Sequence, residues 1–210
     1  MVVFHLVFDL NQFAGFDIDY LSGFWYWVGK AAALTFIFLA GISSGFSKNT
    51  VRRGIKVLVF AMAITLATYI FFREQYIRFG ILHFLGTSMI IFPMLKRMNN
   101  ILLFSSAAVI ALAAIPLNNV LLETSLLLPF GIMYKGFTSF DYYPLSPYLS
   151  VFILGILSYK VYYHKKQSLF KFSFENKGIL MISNNSLAIY LLHQPIIIAT
   201  IFAIKFLMNR

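Results

Sequence analysis

WYWVGKAAALTFIFLAGISSGF, residues 25–46, carries one charge, Lys30, in 22 residues. A helix needs about 20 mostly apolar residues to cross a bilayer, so this run is long enough. Further runs of the same kind lie on either side of it. They cover Met1 to about Leu10, Ile55 to Phe72, Phe79 to Leu95, Asn100 to Pro116, Ser146 to Tyr163 and Ser186 to Leu207. The first is too short to span. The long segment from Leu117 to Leu145 has an apolar centre, VLLETSLLLPFGI, interrupted by Glu123 and Pro129. It reads as an interfacial or re-entrant helix, or as a short eighth span. The expected fold is all-α: a polytopic membrane helix bundle of about seven spanning segments, the first partial, forming one transmembrane domain over residues 1–210.

Composition supports this. Of 210 residues, 60% are hydrophobic and 11% charged, against about 45–50% and about 25% in soluble domains. The net charge of +10 does not point to nucleic acid, because the basic residues sit in short gaps between apolar runs. With the N-terminus in the cytoplasm, 11 of the 17 Lys and Arg fall on the inner side, among them Lys48, Arg52, Arg53, Lys56, Lys96 and Arg97. That is the bias expected of cytoplasmic loops. The longest inner loop, HKKQSLFKFSFENK (164–177), alternates basic and aromatic residues and suits an anchor on anionic lipid. With no Cys, disulfides and thiolate metal sites are excluded. The first residues lack a basic start and a small-residue cleavage site, so no signal peptide is expected.

Ionisable residues inside spanning helices are costly and mark function by default. His5 and Asp9 are four apart, which puts them on one helix face. An Asp one turn from a His can fix its tautomer for acid–base work; a packing hydrogen bond is the plainer reading. His83 lies in YIRFGILHFLG between Gly80 and Gly86, with Arg78 at the outer mouth. The glycines allow close approach of a neighbour or a ligand. His193 lies in NNSLAIYLLHQPI, where Ser186, Tyr190 and His193 share a face and Pro195 weakens the helical ladder. A polar packing stripe fits these residues as well as a ligand site does.

Two more stretches carry chemistry. FLAGISSGFSKNTVRRGIK (38–56) places Ser43 and Ser44 at the end of the second run, ahead of Arg52 and Arg53, a group able to meet phosphates. SFDYYPLSPYL (139–149) presents Asp141 with two tyrosines, suited either to a sugar-like ligand or to an aromatic belt with an acidic cap. No P-loop, G-x-S-x-G, H-E-x-x-H or Rossmann pattern is present, and the histidine spacing carries no metal signature.

Read together and in order, FHLVFDL, FLAGISSGFS…RRG, RFGILHFLG, SFDYYPLSPYL and NSLAIYLLHQP resemble the bacterial and archaeal relatives of the catalytic domain of heparan-alpha-glucosaminide N-acetyltransferase. That family belongs to the transmembrane acyltransferase superfamily. The resemblance implies a multi-pass enzyme of a prokaryotic plasma membrane. It implies acyl transfer, usually of acetyl, from acyl-CoA at the cytoplasmic face to a sugar amine or hydroxyl, with no permanently bound cofactor. It aligns His5 with the family's proposed catalytic histidine on the first helix. Relatives carry an Arg-Gly pair about three turns before that histidine, a position that here falls before Met1. MVVFHLVFDL is therefore expected to be the back half of a first spanning helix.

On this reading His5, oriented by Asp9, takes the acceptor's proton. Arg52, Arg53, Ser43 and Ser44 serve the acyl-CoA, and His83, Arg78, Asp141, Tyr190 and His193 line the acceptor site. The expected partners are the bilayer, acyl-CoA, a sugar or glycan acceptor and, through Gly- and Ser-bearing helix faces, a second copy of the chain. Two other classes remain. A proton-coupled small-solute transporter also fits buried histidines and a Pro-broken helix, and a non-catalytic membrane subunit would tolerate loss of the histidines.

Overall fold

In a computed structural model the chain is mostly helical; the structure describes residues 1–117, 119–165 and 176–208. The helices are α1 (Val2–Asp9), α2 (Gly23–Phe46), α3 (Thr50–Phe71), α4 (Ile81–Arg97), α5 (Asn100–Leu117), α6 (Leu145–Val161), α7 (Lys177–Asn184) and α8 (Ser186–Met208). Among the described residues, four stretches are long and apolar enough to cross a membrane: Gly23–Phe46, Thr50–Phe71, Asn100–Leu117 and Ala188–Met208. The other expected spans correspond to shorter helices. The chain divides into two compact units, residues 1–33 with 168–210, and residues 34–167.

In the first unit, α1 does not stop near Leu10. It runs on as a π-helical turn, Leu10–Ala14, until Gly15 takes φ 81°, a left-handed conformation open to glycine. The Asn11 amide then donates to the Phe16 and Ile18 carbonyls, which fixes the exit. Asp19 accepts from the backbone N–H groups of Leu21 and Ser22 and turns the chain into α2. α8 packs along α1 and its π turn, with the Phe13 and Phe202 rings 6.0 Å apart.

In the second unit, α3 and α4 form an antiparallel pair in backbone contact. A Cβ on Gly54 would lie 2.8 Å from the Gly86 carbonyl oxygen. Gly86, one of the two glycines beside His83, thus admits a neighbouring helix. α2 crosses α6 at an equally tight point. A Cβ on Gly41 would lie 2.3 Å from the Phe152 carbonyl, and one on Gly155 would lie 2.2 Å from that of Phe38. α5 packs on α6, where the Ser146 hydroxyl donates to the Ile110 carbonyl at 2.9 Å.

The segment expected as a re-entrant helix is not α-helical among the described residues. It holds two short parallel strands, β1 (Leu121–Leu122) and β2 (Met133–Tyr134), and a single 3₁₀ turn at Leu128–Phe130. Pro129 lacks a donor, and Gly131 at φ 100° reverses the chain one residue after the turn. The loop after β2 is laced onto the α3–α4 connection. Phe140 N–H donates to the Gln75 carbonyl at 2.9 Å, Tyr143 N–H to that of Phe79 at 3.0 Å, and the Thr138 hydroxyl to that of Glu74 at 2.9 Å. The basic and aromatic loop expected over 164–177 lies largely outside the described residues.

Candidate functional site

The first unit assembles a polar cluster where α1 meets α8. The His5 ring lies 4.9 Å from the His193 ring, centre to centre, at 58°. The Tyr190 ring, one turn back on α8, lies 5.5 Å from the His193 ring, tilted at 55°. The next α8 residue, Gln194, donates its amide N–H to Asp9 Oδ1 at 3.0 Å. His5 and Asp9 of α1 therefore come together with Tyr190, His193 and Gln194 of α8, a meeting of the two helices that spacing does not reveal.

Their wiring differs from the expectation. Helical spacing puts His5 and Asp9 on one face, but Asp9 does not hydrogen-bond His5. It is fully buried, and its carboxylate turns to the α8 amide while Oδ2 keeps no partner. His193, not Asp9, is the polar group against His5. His193 Nδ1 sits 3.1 Å from the Ile189 carbonyl, which can only accept, so the proton is assigned to Nδ1. In the neutral ring Nε2 is then a bare acceptor, and it is buried without a partner. Buried polar atoms are normally satisfied. Asp9 Oδ2 and His193 Nε2 are thus two unmet acceptors near half-buried His5.

Arg78, His83 and Asp141 belong to the other unit, and each has an internal partner. His83 Nδ1 accepts from Gly80 N–H at 3.3 Å. Its Nε2–H then donates to the Thr65 hydroxyl at 3.1 Å, which donates to the Ile77 carbonyl at 2.7 Å. Both ring nitrogens are engaged: Nδ1 closes the N-terminus of α4 on Gly80, and Nε2 joins α4 to Thr65 of α3. The Arg78 guanidinium donates to the Thr138 carbonyl and lies 4.2 Å over the Tyr76 ring. Asp141 Oδ2 accepts from Ile81 N–H at 2.8 Å and caps α4 from 60 residues away. Only glycine fits beside it, because a Cβ on Gly80 would lie 2.2 Å from that oxygen. Burial pushes the Asp141 carboxyl up to about 6, although the Ile81 hydrogen bond pulls the other way.

A third feature, also in the second unit, is an open crevice of about 940 Å³ where the start of α3 meets the end of α4. Its cations are Lys48, Arg52, Lys56, Lys96 and Arg97, and no acidic residue lines it. Of the residues expected to meet phosphates, Arg52 lines it and Arg53 does not. The Ser43 and Ser44 hydroxyls both donate to the Ala40 carbonyl, at 3.1 and 2.8 Å. That leaves them only lone pairs, the wrong polarity for a phosphate oxygen. The sequence flagged the other four cations only as markers of sidedness. The signal for the crevice was their recurrence at the start of α3 and the end of α4, which meet at one end of the antiparallel pair. Among the described residues no three His, Asp or Glu side chains converge to hold a metal ion.

The family model described as heparan-alpha-glucosaminide N-acetyltransferase, catalytic, matches residues 1–195. No significant match was found among curated proteins or among solved structures.

Proposed function

The chain belongs to the heparan-alpha-glucosaminide N-acetyltransferase catalytic family, and on that premise we propose that it moves an acyl group, most simply acetyl, from acyl-CoA to a sugar amine or hydroxyl within the membrane. It is an integral membrane protein, with four helices among the described residues long and apolar enough to span. Taken over about seven crossings, the count of Lys and Arg favours a cytoplasmic N-terminus, and the family resemblance supports a prokaryotic plasma membrane. Acyl-CoA is then drawn from the cytoplasmic side, with Arg52 and Arg53 the cations proposed to meet its phosphates.

The observation that carries the reading is the α1–α8 cluster. The transfer needs a base for the acceptor's proton and an activated acyl carbon. The CoA thioester supplies the carbon. His5 has the exposure a base requires, and among the described residues it makes ring contacts with Phe4 and His193 but no hydrogen bond that would occupy its lone pair. His193, Tyr190 and the Gln194–Asp9 pair hold the surroundings of that ring. As His5 takes the proton, the acceptor nitrogen or oxygen attacks the thioester carbonyl and CoA leaves as the thiol.

The test uses the protein in proteoliposomes with labelled acetyl-CoA and glucosamine as acceptor. Label appearing on glucosamine in step with thiol release supports acyl transfer. Movement of solute without acetyl-CoA consumption would replace it with the proton-coupled transporter, which the buried histidines and Pro195 in α8 also favour.

A further inference from the structure

The basic crevice has a feature that acyl transfer does not use: its apolar wall continues out of it. Val51 and Ile55 line the crevice. The same α3 face then runs through Val59, Met62 and Leu66, all exposed, and the spacing of four, four, three and four keeps them within about one quarter of the helix circumference. On α4, exposed Ile90 and Met94 share a face with Arg97 in the same way. Each helix therefore presents cations at its end and a bare apolar strip leading away along the bilayer.

The charges at α3 also call for an anion. Arg52 and Arg53 fall within its first turn, where the helix dipole disfavours cations, with no acid in that turn and no side-chain cap at Asn49, and Lys56 follows one turn on. At the end of α4, Lys96 and Arg97 sit where the dipole favours them. Five cations, no carboxylate and a cavity of about 940 Å³ match a phosphate-bearing headgroup, and the strips match hydrocarbon chains. The phosphates of acyl-CoA share the headgroup's charge, but adenosine and pantetheine are polar and would leave the strips unused.

We infer that the α3–α4 crevice is a binding site for an anionic glycerophospholipid, its phosphate among Lys56, Lys96 and Arg97 and its chains along the apolar faces of α3 and α4. The site does not rest on the acyl-transfer reading but shares Arg52 with the phosphate contact proposed there, and a CoA arm of the experiment separates the two.

The experiment places the full chain in nanodiscs of phosphatidylcholine containing graded phosphatidylglycerol and measures, by native mass spectrometry, the lipid retained on release. The wild type should retain phosphatidylglycerol selectively. Exposed cations near a membrane are worth about fivefold each, so Lys96→Gln with Arg97→Gln should weaken retention roughly 25-fold, while Lys205→Gln leaves it unchanged. A second arm adds CoA in phosphatidylcholine-only discs. Equal retention by the crevice variant and the wild type overturns the inference, as does equal retention of the two lipids. So does CoA that binds the wild type, displaces phosphatidylglycerol and loses affinity in the same variant, which would assign the crevice to the cosubstrate.

Discussion

Asp141→Asn should stabilise the protein at neutral pH and lose that advantage in acid. The carboxyl caps α4 through Ile81 N–H at 2.8 Å, and burial raises it from 3.8 to about 6. An acid raised on folding binds more protons folded than unfolded. Stability therefore falls as pH climbs from about 4 to about 6, and the full cost stands above that window. The interval between 3.8 and about 6 corresponds to about 3 kcal/mol at most. Asn keeps an acceptor oxygen for Ile81 and, like the protonated acid, carries no charge, and the interval already contains the opposing effect of the Ile81 hydrogen bond, so it bounds the gain directly. The gain at about pH 7.5 is therefore at most about 3 kcal/mol, a midpoint rise of up to roughly 6–12 °C in a chain of this size. The assay is thermal unfolding in detergent at about pH 5 and about pH 7.5, wild type against variant, so that other titrating groups cancel. A difference that is the same at both values, or larger in acid, would refute the reasoning. Asp141→Ala separates the two contributions, because it removes charge and cap together and should fall below the Asn variant at both values.

Gly155→Val should break the α2–α6 crossing, since even a Cβ there would lie 2.2 Å from a backbone carbonyl that cannot move aside; a loss of at least about 1–3 kcal/mol by thermal unfolding is expected. Thr65→Val removes the middle of the His83–Thr65–Ile77 chain and should lower stability by about 1–3 kcal/mol while acetyl transfer per folded molecule stays within a fewfold of wild type. Gln194→Leu leaves both oxygens of buried Asp9 without a partner. It should cost about 1–3 kcal/mol or more and depress transfer, which Gln194→Asn should restore less well because the shorter side chain falls short of Asp9.

Much of the fold is legible in the sequence because spanning length and apolar continuity are local properties. The last helix begins at Ser186 as expected, and α6 matches within two residues at each end. α3 begins five residues earlier than its apolar run, because Arg52, Arg53 and Lys56 fit exposed positions of the first turns and hydropathy alone discards them. The short helix α7, Lys177–Asn184, was hidden for the same reason behind a basic loop. The segment before α6 defied the reading because its apolar content resembles a helix while Pro129 and Gly131 decide its backbone.

The site was legible in part. Spacing showed that His5 and Asp9 share a face, but not that each turns to a different residue of α8, 188 and 185 positions away. Partners that far apart leave no periodic trace. Likewise nothing in SFDYYPLSPYL marks Asp141 as the cap of a helix starting 60 residues earlier. An acid, an arginine and a histidine beside apolar runs look alike whether they meet a ligand or close a loop. For His83, Arg78 and Asp141 the loop and helix partners are the ones present.

The most direct test of the account is acetyl transfer by His5→Asn, measured in proteoliposomes beside wild type and normalised to folded protein by thermal midpoint. A general base contributes about 10²–10⁴-fold. Because the His5 ring makes no hydrogen bond among the described residues, the variant should keep its midpoint and lose transfer by at least about 100-fold. Transfer within a fewfold of wild type at an unchanged midpoint would contradict the account and remove the α1–α8 cluster as the seat of the chemistry.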